Sequence, residues 1–82
     1  MGTLETLAAK LAEDTVKAMQ ETGNDRLYVE VGDVLGASSQ SLEEAFLTEM
    51  RVRLSEATAR RFLMAKVAEA RGGPKATAPT EE

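Results

Sequence analysis

The side chains best suited to chemistry lie close together, where Ser38, Ser39, Gln40 and Ser41 run into Glu43 and Glu44. Hydroxyls and amides can read hydrogen-bonding ligands. Adjacent carboxylates can act as general acid and base or hold a hard cation. Each use needs a further group that the sequence lacks. It contains no His and no Cys, which removes the commonest general base, the commonest metal ligand, a thiolate nucleophile and any disulfide. A carboxylate metal site in a helical bundle usually draws on Glu-x-x-His, which cannot be formed here. No Ser-His or Cys-His pair, phosphate loop or calcium-loop spacing is present. The only aromatic residues are Tyr28, Phe46 and Phe62, a thin supply for a cofactor cage or a base-stacking platform. The sequence therefore assigns no catalytic, cofactor-binding or metal-ligating residue, and a non-enzymatic role is expected.

The same two glutamates have a simpler use at a helix start. Ser41 and Glu44 form an S-x-x-E capping box, and Glu43 and Glu44 place negative charge on a first turn, where the helix dipole favours it. They open the longest stretch without Gly or Pro, residues 41–71, rich in Leu, Ala, Glu, Arg, Met and Lys. As one helix it is roughly 46 Å long. Arg71, Gly72-Gly73 and Pro74 mark its end.

Two apolar sides are expected on this helix. Leu47, Met50, Leu54, Ala57, Met64 and Ala68 fall on one, near heptad spacing and interrupted by Arg61. Ala45, Val52, Ala59, Leu63, Val67 and Ala70 fall on the other. Between them runs a charged line whose pairs, Glu49 with Arg53 and Glu56 with Arg60, are spaced i,i+4. One side is expected to pack inside the subunit and the other across an interface. The heptad-like set (Leu47, Met50, Leu54, Ala57, Met64, Ala68) is the candidate interface of a homodimer.

Residues 3–22 read as an amphipathic helix with Thr3 as N-cap and Gly23 as its stop. Residues 24–37 are ambiguous. Leu27, Val29 and Val31 alternate as in a strand, whereas Leu27, Tyr28, Val31, Val34 and Leu35 fit helical spacing, with Asn24 or Asp25 as N-cap. No second strand candidate exists, so a helix over about 26–35 is expected, and a strand over 26–31 would have to pair with its own copy. Residues 74–82 contain no bulky apolar side chain and two Pro, and are expected to be a disordered tail after a single helical domain, 1–73.

Residues 31–46, VGDVLGASSQSLEEAF, resemble the helix-turn-helix motif of bacterial regulators. Val31, Gly32, Leu35, Gly36, Ala37, Leu42 and Ala45 occupy its apolar, small and turn positions. The resemblance implies close helix packing at Gly32, a left-handed turn at Gly36, and base contacts from Ser39, Gln40 and Ser41. Against a DNA complex, Glu43 and Glu44 would face phosphates, and no Lys or Arg lies between Arg26 and Arg51.

Charge points the same way. The net charge is −4. Residues 1–25 carry five acids and two bases, and residues 39–71 carry five acids and six bases. There is no basic run to follow a polyanion, no apolar run long enough to span a membrane, and no secretory core at the N-terminus. The acidic N-terminal helix does not suit an anionic membrane surface. A cytoplasmic location is expected.

Together these features predict an all-α chain of three helices, about 3–22, 26–35 and 41–71, forming a dimeric helical bundle. The expected role is that of a small interaction, adaptor or accessory protein acting by helix-mediated self-association or by association with another protein. A small DNA-binding transcriptional regulator and a small helical subunit of a larger enzyme are the alternatives.

Overall fold

The computed structural model describes residues 2–72, and these form three helices and no strand. Helix α1 spans Thr3–Thr22, α2 Leu27–Gly36 and α3 Gln40–Ala70. The expected tail, residues 74–82, lies outside the described residues.

The segment that could have been a strand is helical. Its interior glycine has a packing reason. Gly32 is buried, and a β-carbon there would lie 3.3 Å from Leu47 Cδ2. The absent side chain lets α2 approach α3 closely, which offsets the roughly 1 kcal/mol that Gly costs in a helix interior. Gly36, further along α2, lies against Glu43, whereas Gly32 lies against the later Leu47. The two helices therefore run antiparallel.

Several expected caps sit elsewhere. Helix α1 is capped by Gly2, not Thr3; the Gly2 amide donates to Glu5 Oε1 at 3.1 Å. Its end is as expected, with Gly23 left-handed at φ 71° and its amide bonded to Met19 O. Before α2, Asn24 is not the N-cap. It builds a turn, accepting from the Arg26 amide at 3.0 Å and donating to Glu30 Oε2 at 3.2 Å. Arg26 occupies the cap position with no side-chain bond.

The turn into α3 also differs. Gly36 is not left-handed; it is the last residue of α2, and of the described glycines only Gly23 and Gly72 have positive φ. Its lack of a side chain matters because a β-carbon would lie 2.7 Å from Glu43 Oε1. The Leu35 carbonyl accepts from both Ser38 N and Ser39 N, at 3.0 and 2.8 Å. That tight turn brings Ser39, not Ser41, to the cap, where its hydroxyl accepts from Leu42 N at 3.1 Å. The Ser41–Glu44 box does not form.

The core is small. Ala8 and Ala12 of α1 and Phe46 and Met50 of α3 are fully buried. Leu11, Val16, Met19, Tyr28, Val31, Leu35, Leu42, Leu47 and Leu54 pack around them. Two alanines on α1 leave room for the two large side chains of α3. The buried Thr15 hydroxyl is satisfied by donating to Leu11 O at 2.8 Å.

Helix lengths decide the shape. With 20 residues in α1, 10 in α2 and 31 in α3, the rods measure about 30, 15 and 46 Å. The two shorter helices cannot cover the third. The molecule extends 59 × 28 × 15 Å with a radius of gyration of 17.7 Å, against about 12 Å for a compact chain of this length.

Candidate association surface

The uncovered part of α3 is its C-terminal half. Ala57 is half-buried, and every residue from Thr58 to Lys66 is exposed. This arm carries Phe62, Leu63 and Met64 at 66%, 54% and 57% exposure. Its helicity is supported locally. Arg60 Nε donates to Glu56 Oε2 at 2.8 Å, Lys66 Nζ lies 3.7 Å from Glu69 and 5.6 Å from the centre of the Phe62 ring. Each contact is worth a few tenths of a kcal/mol at an exposed site. The arm needs no separate nucleus because it continues a helix already formed in the body.

Beside the start of the arm, α1 and α3 leave an open groove of about 680 Å³. Val16 of α1 and Val52 and Ala57 of α3 supply its apolar lining, and Glu13, Lys17 and Glu56 lie among its other residues. Val52 is 61% exposed, so the apolar surface of the arm continues onto the body. On α1, Lys10 donates to Asp14 at 3.1 Å; that bond, with the charges of Asp14 and Glu13, raises its pKa above the usual 10.5.

The six residues of the heptad-like side divide between body and arm. Met50 is wholly buried inside the protomer, and Leu47 and Leu54 pack against the core. Ala57 stands at the edge of the body, Met64 is exposed on the arm, and Ala68 is half-buried near its end. The structure thus does not bring the six together on one open surface. The second side is more open: Val52, Ala59, Leu63 and Ala70 are exposed, and Ala45 and Val67 are half-buried. Phe46, the largest fully buried side chain, was assigned to neither side by the heptad pattern, although its i,i+4 relation to Met50 marks it.

The three residues singled out for base contact lie at the start of α3. Ser39 uses its hydroxyl to cap the helix, while Gln40 and Ser41 are exposed. Glu43 lies over Gly36, between the end of α2 and the start of α3. Arg53, on the same helix, is bonded to Glu49.

Among the described residues no group of three or more His, Cys, Asp or Glu gathers as metal ligands, and no helix is long and apolar enough to cross a membrane. No family model matches the chain, and no curated protein or solved structure matches it either.

Proposed function

We propose that this chain is a non-enzymatic association module whose working surface is the exposed half of α3. The observation that carries this reading is the arm: a helix running past its own body, bearing three consecutive large apolar side chains that touch no core. The three point about 100° apart around the helix, and Leu63 lines up with the exposed Val52 and Ala59 in one apolar strip; exposed apolar surface of this kind, with charges around it, is characteristic of protein–protein contact. The small core adds to the argument, since a chain of 82 residues buries only about 60% of its unfolded surface alone.

The test replaces Phe62, Leu63 and Met64 together with Gln, a good helix former. All three are exposed in the protomer, so circular dichroism should keep its helical signal. In sedimentation at micromolar concentration the parent chain should give about twice its 8.8 kDa mass, and the variant the mass of one chain. A parent that sediments as a single helical chain would overturn self-association.

The close contact of Gly32 with Leu47 supports a second reading, a DNA-binding regulator built on α2, the turn and α3. It ranks lower because Ser39 is engaged in capping, and Glu43 and Glu44 present carboxylates at the start of α3, in a stretch with no Lys or Arg between Arg26 and Arg51 to hold a phosphate.

A further inference from the structure

We draw no further inference here: the strongest candidate, the exposed apolar strip of Val52, Ala59 and Leu63 that runs along α3 from the groove beside α1 onto the arm, belongs to the association surface already described, and nothing in the structure shows what covers it.

Discussion

Replacing Gly32 with Ala tests the closest contact in the fold. Ala gains about 0.8–1.0 kcal/mol over Gly in a helix interior. Against this, its β-carbon would lie 3.3 Å from Leu47 Cδ2 and 3.8 Å from Leu47 Cγ, where carbon atoms prefer about 3.5–4.0 Å. Leu47 must give by a few tenths of an ångström. It borders a cavity of about 280 Å³, also lined by Tyr28 and Leu54, so it has somewhere to go, at the roughly 0.5–1.5 kcal/mol of an off-rotamer side chain. The two effects nearly cancel, and Gly32→Ala alone should change stability by less than about 0.5 kcal/mol. In a Leu47→Ala background the clash is gone and the same change should stabilise by about 1 kcal/mol. Urea unfolding of the four proteins gives the coupling, in which the cost of Leu47→Ala itself cancels. If Gly32→Ala stabilises equally in both backgrounds, α2 and α3 do not approach as described, and the packing reason for this glycine fails.

Two further substitutions address the core and the cap. Phe46→Ala should cost about 3–5 kcal/mol in urea unfolding, a large share of the roughly 4–12 kcal/mol expected for a chain of this length; a loss below about 1 kcal/mol would mean Phe46 does not anchor the core. Ser39→Ala should lose about 1 kcal/mol of thermal stability through the missing bond to Leu42 N, while Ser41→Ala stays near the parent; the reverse order would return the cap to Ser41.

The three helices were legible because each carries apolar spacing and ends within two residues of a glycine. The strand-like alternation of Leu27, Val29 and Val31 misled only locally; with no second strand in reach, helix was the one way to satisfy the backbone, and Leu47 supplied the reason for Gly32. Cap positions were less legible. Ser38, Ser39 and Ser41 all offer a hydroxyl, and the sequence favours Ser41 because Glu44 follows at the right distance. The choice fell to the exit from α2, where one carbonyl, that of Leu35, takes both Ser38 and Ser39 amides and leaves Ser39 extended at φ −154° and ψ 101°. Periodicity found two apolar sides on α3 but could not divide them along its length. That division follows from the 20 residues of α1 and the 10 of α2, which run out before α3 does.

The small core and the bare arm have one physical origin. Among the described residues, Phe46 and Met50 are the only large side chains that are fully buried, because α1 presents alanines where they pack and α2 is little more than two turns long. A body of this size has little surplus stability to draw on. In the proposed association, a partner seated on the arm would extend the core where the protomer's own helices end. Whatever binds the folded form and not the unfolded one stabilises the fold by mass action. The arm would then serve folding and association together, and Leu63, which contributes nothing to its own protomer's core, would add to stability only once a partner covers it.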